Sequence, residues 1–528
     1  MKFFFKRHWS FFVCLALLLG TIFFILNVSL KQNKSQLIYG LDDAYIHMSL
    51  AKNIVQYGVL GVTRNEMSSA ASSLLWPFLL AIVYMFFGVN QLAPLILNIF
   101  LSVLVVLVFY GTISTYLKSQ RVMFFFLLLL LYCAPLISLV FEGMEHLLQI
   151  LLAICFVYSS ASIVDKNSKR REKACVLVLA FLLTAVRYEG FFLVGVVVLL
   201  FFARRRFLLG TLIAVLAVLP ALIYAGFSLK QGWFVIPNSI LLKSSLAGVS
   251  HSFKGIFFYL LFKVKNFYRN PEIVNLVIIS LFLYVSFWKK KNFKVNLNCL
   301  AIFLGTAFLH VLLIRLGWAY RYEAYLIAIG LLSLSVACGE VLKEKESMIK
   351  AKVLVFLLVV LFLPLGFRGG TSLFKISQAM NNIYSQQYQM GRFLARYYHR
   401  EAVAVNDIGA INYLADLKAF DLWGVGNIEI TRLKLQGDYG RGKIEELTRA
   451  RGIKIALLYE DWFQTYGGLP KSWIKVGEWK IFRNVVCGGD TVSFYATNKA
   501  EAEQLARNLE EFASFLPLSV SFKRVLTK

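Results

Sequence analysis

Apolar residues in this chain come in blocks close to the roughly 20 residues that a helix needs to cross a bilayer core. Phe11 to Leu30, Leu92 to Leu117 and Val122 to Val140 are the clearest. Further candidates occupy 74–88, 144–164, 174–187, 190–203, 207–227, 255–269, 272–288, 297–316, 322–341 and 351–367. The pattern predicts a mostly α chain, a polytopic bundle of about 11–13 transmembrane helices over residues 1–367. From 368 to 528 the blocks give way to short strand-like runs (Ala402 to Asn406, Ile453 to Tyr459, Val492 to Thr497) and amphipathic stretches (Lys443 to Arg451, Ala500 to Phe515). Their alternation predicts a small C-terminal α/β domain.

Composition strengthens the membrane reading. Hydrophobic residues make up 59% of the 528 and mean hydropathy is +0.67, well beyond the roughly 45–50% apolar content of soluble domains. The formal charge of +27 would suit nucleic acid, but its clusters, Lys166 to Lys173, Arg204 to Arg206 and Lys289 to Lys291, sit between apolar runs. That is the pattern of cytoplasmic loops, and no nucleic-acid partner is expected. The first apolar run follows Lys2, Lys6 and Arg7 and lacks a small-x-small cleavage site before Lys31, so it reads as a retained helix. Six of the seven cysteines lie in or beside apolar segments and none forms a CxxC pair, which suits packing.

Loop charge then orients the chain. With the amino terminus inside, residues 31–73 form the first extracytoplasmic loop. Basic loops at 289–296 and 343–352 belong inside, which puts 228–254, the turn Gly317 to Arg321 and everything after Phe367 outside. The turns Glu142 to Glu145 and Arg187 to Gly190 also point outward. The count fails by one crossing between Ser73 and Gln91. There the short segment 74–88, which contains Pro77, is re-entrant, or one of the basic loops faces outward.

Ionisable residues at membrane depth are costly and are usually paired or functional. Five places bring them to the outer side: Asp42 and Asp43; Glu142 and Glu145; Arg187 and Glu189; Lys243; and Arg321 with Glu323. Asp42 stands where an N-cap would, yet a cap needs one carboxylate and a second follows at once. An ionised aspartate within reach of a hydroxyl is a general base. His47 lies four residues after Asp43, on the same helix face, where the two could share a metal; a surface histidine is the plainer reading. Glu145 opens a helix, where its charge suits the dipole as well as it would suit a ligand. Arg187 and Glu189 could pair with each other. Lys243 and Arg321 offer positive charge for a phosphate leaving group or for lipid headgroups.

The segments LDDAYIHMSLAKNIVQYG, SSAASSLLWPFLLA, FEGMEHLLQILLA, AVRYEGFFL, VIPNSILLK, GWAYRYEAYL and AVAVNDIGAINYLADLKAFDLWG, in this order, resemble the GT-C superfamily. These are integral membrane glycosyltransferases that use polyprenyl-phosphate-linked sugars. The style is similar to bacterial arabinofuranosyl- and mannosyltransferases and to protein mannosyltransferases. The resemblance implies a GT-C-type bundle and inverting transfer of a hexosyl or pentosyl group to a hydroxyl of a glycan, lipid or protein acceptor. It places the site and the C-terminal domain on the extracytoplasmic side of a bacterial plasma membrane. It implies Asp42 as base with Asp43 as its partner, and Glu145, Arg187, Glu189, Asn238, Lys243 and Arg321 as substrate-binding residues. If a divalent ion takes part, Asp43, Glu145 and His47 are its candidate ligands. Departures are Tyr188, where a proline follows the arginine in the family, and SSAASSLL in place of a Gly-Tyr-Thr-Ser-Pro stretch; they leave sugar and acceptor open. A secondary transporter, whose charges would gather at the midplane with an inverted repeat, and a non-catalytic scaffold are the alternatives.

Overall fold

In hydrocarbon every backbone N–H and C=O must be satisfied within its own segment, so the apolar runs fold as helices. The computed structural model describes residues 2–166, 168–243, 253–288, 294–314, 316–342 and 348–525. Its helices are α1 (Lys2–Arg7), α2 (Trp9–Gln32), α3 (Asp42–Tyr57), α4 (Trp76–Phe87), α5 (Leu92–Ile113), α6 (Gln120–Cys133), α7 (Leu136–Glu142), α8 (His146–Ile163) and α9 (Arg170–Val186). They continue as α10 (Gly190–Ala203), α11 (Phe207–Lys230), α12 (Asn238–Lys243), α13 (Phe253–Tyr268), α14 (Pro271–Phe287), α15 (Lys294–Leu313), α16 (Ala324–Val341), α17 (Met348–Ile383) and α18 (Gln389–Tyr397).

Among the described residues, seven helices are long and apolar enough to span a membrane, or eight if α13 and α14, bent by 90°, act as one. The chain is an integral membrane protein. The 36-residue α17, many of whose apolar side chains lie outside the described residues, stands apart from this count, and other apolar segments form shorter helices. The 12 residues of α4 rise only about 18 Å at about 1.5 Å each, short of the roughly 30 Å core. This is the segment where the loop-charge count fails. Helix α10 is also short, and α9 carries Arg170, Arg171, Glu172 and Lys173 in its first turn.

No break separates residues 367 and 368. Helix α17 runs 36 residues to Ile383 and passes through a π-helical turn, Tyr384–Tyr388, into α18. A bundle helix therefore becomes the support of the C-terminal domain, and the sheet begins only at Ala402.

That domain holds β1 (Ala402–Val405), α19 (Ala410–Leu414), β2 (Lys418–Asp421), α20 (Ile428–Gln436), α21 (Arg441–Ala450), β3 (Ile455–Leu458), β4 (Ile474–Ile481), β5 (Thr491–Ala496), α22 (Lys499–Ala513) and β6 (Val520–Arg524). The sheet order is β2-β1-β3-β5-β4-β6. Strand β1 is parallel to β2 and β3, while β3, β5, β4 and β6 pair antiparallel. Asn427 caps α20 and Asn498 caps α22 by accepting backbone N–H bonds. Leu505, Leu509 and Phe512 recur at helical spacing along α22 and are buried against the sheet.

Bundle and domain share their cores. Ile46 and Leu50 of α3, with Val62 and Ala70 of the loop after it, pack in the domain's apolar cluster, while Ile481 and Cys487 of the domain pack in the bundle's. At the centre of the domain Trp479 is fully buried, stacked on Phe512 at 5.6 Å and against Phe494 at 4.6 Å. Trp479→Ala is expected to lower the stability of this domain by about 3–5 kcal/mol, seen as an earlier loss of its structure in a urea titration of the full chain.

Candidate functional site

Local packing places the acidic pair. Tyr39 donates its hydroxyl to the Gln91 carbonyl at 2.5 Å and accepts the Leu95 N–H at 3.0 Å. Its ring lies against Gly143, whose φ is +69° and where a Cβ would stand 2.6 Å from the ring. Only glycine suits that turn. The Gly40 N–H bonds to the Phe141 carbonyl at 2.9 Å. The start of α3 is thereby fixed beside the Glu142–Glu145 turn.

The two aspartates then go to different neighbours. Asp43 accepts from the Arg321 guanidinium at 2.7 Å and its side chain keeps 26% exposure. Asp42 accepts the backbone N–H groups of Gly409 and Ala410, both at 2.8 Å, at the start of α19. A Cβ at Gly409 would overlap the backbone of Asp42. Burial, with the Asp407 carboxylate nearby, pushes the Asp42 carboxyl up to about 8 against the two N–H bonds that pull it down.

Around Asp43 the expected charges converge. Glu145 accepts from Arg187 at 2.6 Å. Arg187 also grips Glu189 with two bonds, 3.0 and 2.7 Å. Arg187 and Arg321 both lie over the Tyr322 ring, 5.7 and 5.1 Å from its centroid. His47 stands 3.7 Å from Glu145 and 3.1 Å from the Ser72 hydroxyl. Asp43, His47, Glu145, Arg187, Glu189 and Arg321 thus belong to one network, drawn from four separate stretches of sequence. Among the described residues no three His, Cys, Asp or Glu side chains are arranged to hold an ion, and guanidinium groups face Asp43 and Glu145.

Asn238 lies at the seam between bundle and domain. Its N–H donates to Ser69 at 3.2 Å and its amide to the Gly424 carbonyl at 3.3 Å. Lys243 closes α12, but its side chain lies outside the described residues.

Sequence reasoning missed a second buried cluster. Arg368 of α17 bonds Glu323 at 2.7 Å, the Tyr320 carbonyl at 2.7 Å and Glu272 at 3.4 Å. It holds the turn in which Ala319 and Tyr320 adopt positive φ, 50° and 62°, a conformation costly for residues with a side chain. The turn presents Arg321 and Tyr322. The available signal was an arginine inside the apolar run FLPLGFRGG. On the domain side, Asp407 accepts from Gln387 at 2.9 Å and Tyr459 at 3.0 Å.

The architecture resembles solved structures over nearly the whole chain. ArnT from Cupriavidus metallidurans bound to undecaprenyl phosphate superposes with a TM-score of 0.54 at 11% identity, covering 92% of this chain and 98% of that one. Its apo form gives 0.52 at 12%, with the same coverage. The Archaeoglobus fulgidus oligosaccharyltransferase, in complex with Zn and sulfate, gives 0.51 at 12%, covering 96% of this chain and 75% of that one. The fold is of the GT-C type. A family model described as a domain of unknown function (DUF8728) matches residues 381–495, and no curated protein matches in sequence.

Burial of Asp42 gives docking a pH dependence. Burial and the neighbouring Asp407 raise its carboxyl above the ordinary 3.8, so its contribution to stability falls as pH rises above that value toward the raised one. Hydrogen exchange at residues 406–414 is expected to quicken from pH 6 to pH 9 after correction for the intrinsic rate. Asp42→Asn should flatten that trend.

Proposed function

We propose that this chain is an inverting glycosyltransferase that moves a sugar from a polyprenyl-phosphate donor to an acceptor hydroxyl on the extracytoplasmic face of the membrane. The observation that carries the reading is the ion pair of a carboxylate, Asp43, with Arg321, and the placing of a second guanidinium, Arg187, over the same Tyr322 ring in a GT-C fold. ArnT, of the same fold, was solved with undecaprenyl phosphate bound, and a lipid-borne donor suits a site set at the end of apolar helices.

Asp43 is the general base in this reading, and Asp42, with both oxygens committed to the Gly409 and Ala410 N–H groups, is the docking residue. The acceptor oxygen attacks the anomeric carbon while its proton passes to Asp43. The bond from that carbon to the phosphate oxygen breaks, and its electron pair leaves with the phosphate. A single displacement inverts the centre. Arg321 is bonded to Asp43 at 2.7 Å beforehand. As Asp43 gains its proton, the guanidinium exchanges a carboxylate partner for the departing phosphate, so positive charge stays where negative charge develops. Arg187, held by Glu145 and Glu189, acts on the same leaving group. Asn238 and the DLWG loop border the acceptor side.

Transfer from polyprenyl-phosphate sugars to candidate acceptors in purified membranes tests these roles. Asp43→Asn should lower transfer on the order of 10²–10⁴-fold, with Asp42→Asn closer to wild type. Wild-type transfer by Asp43→Asn with none by Asp42→Asn would return the base to Asp42. A solute crossing proteoliposomes, with no lipid-linked sugar consumed, would make the chain a transporter.

A further inference from the structure

The C-terminal domain carries a cluster of exposed apolar side chains on the side nearest the bilayer. Phe482 is 57% exposed, Val485 42% and Leu518 105%. Among the described residues after Tyr398, only Leu435 and Phe515 join them as exposed large hydrophobic residues. Four of the five, all but Leu435, therefore lie in two loops at one end of the sheet, where Ile481 of β4 pairs with Val520 of β6; Phe515 among them is covered in part by Arg396.

The height of that end is fixed by its contacts with the end of α17 and the π-helical turn after it. Val485 N–H donates to Asn382 at 3.0 Å, and Ser519 bonds Ser385 at 2.7 Å. Asn381, next to Asn382, bonds Asn33 at 3.1 Å, and about one turn below Ser377 bonds Gln32 at 3.0 Å. Gln32 and Asn33 mark the end of the apolar run of α2. Beneath them α17 shows Phe367 and Phe374 to its surroundings, 76% and 84% exposed, as a lipid-facing helix does. The polar boundary of the bilayer thus falls near residues 377–381 of α17, and both loops begin within about one 5.4 Å helical turn of it. Exposed cations ring this level: Lys31, Lys34, Lys375 and Arg483.

From this geometry we infer that Phe482, Val485 and Leu518 insert into the headgroup layer of the same bilayer that the helices span, with the surrounding lysines and arginine contacting anionic lipid phosphates. Apolar tips in the interface flanked by cations are the arrangement of interfacial membrane anchors. The domain is then held at two places, by Asp42 at the site and by lipid at its rim. This assignment does not depend on the reaction catalysed.

The test places an environment-sensitive fluorophore at Leu518→Cys and, separately, at Phe482→Cys. The background is Cys175→Ser, since Cys175 is the exposed native thiol. The full chain is reconstituted in vesicles of phosphatidylglycerol and phosphatidylcholine, with Leu435→Cys as the reference. Because each labelled side chain is exposed, its replacement leaves the core intact. Blue-shifted emission at both positions, quenched by headgroup-nitroxide lipids more strongly than at residue 435, is the expected result. Emission at both matching residue 435, quenched by aqueous iodide and not by nitroxide lipid, would overturn the assignment.

Discussion

Buried guanidinium groups must be neutralised, and this constraint organises the centre of the molecule. Arg187, Arg321 and Arg368 are all at most 6% exposed, where an uncompensated charge costs several kcal/mol. Each finds its carboxylates on another stretch of chain or across a tight turn: Glu145 and Glu189 for Arg187, Asp43 for Arg321, Glu323 and Glu272 for Arg368. The pairs tie α3, the Glu142–Glu145 turn, the α9–α10 hairpin, the turn before α16 and helix α17 to one another. In the proposed reaction they would also pre-set the site, since charge that neutralises a neighbour in the resting state is already in position when a substrate brings a new anion.

The C-terminal domain is part of that arrangement. Its NDIG loop meets Asp42 with two N–H groups, the DLWG loop meets Asn238, and the two apolar cores exchange residues. Helix α17 passes from the bundle into the domain without interruption and carries Arg368, which bonds Glu323 and the Tyr320 carbonyl in the turn that presents Arg321.

Much of this was legible in the sequence, because hydrophobic run length and residue chemistry survive without coordinates. The spans, the strands near 402, 455 and 492, helix α22 and most of the charged cluster follow from pattern. What escaped depends on three-dimensional closure. Helix α17 looked finished at 367 because its apolar face gives way to Arg368, Gly369 and Gly370, yet Arg368 is buried by carboxylates from α14 and the turn before α16. Strand β4 (IKVGEWKI) is interrupted by Gly477, where its register shifts against β5, which blurs its alternation. A 12-residue helix and a 90° bend have the hydropathy of crossings without the length of one straight span, which run length alone does not reveal.

The division between Asp42 and Asp43 follows from helix geometry. Successive residues of an α-helix point about 100° apart, and residues four apart share a face. Two aspartates that open a helix therefore cannot serve one neighbour equally. Because α3 lies between the bundle and the C-terminal domain, Asp42 turns to Gly409 and Ala410, and Asp43 turns to Arg321. His47, four residues on from Asp43, faces Glu145 on the bundle side, as that spacing requires. Adjacent identical residues thus acquire different work from the rotation between them. One closes the domain onto the site, and the other faces the charges within it.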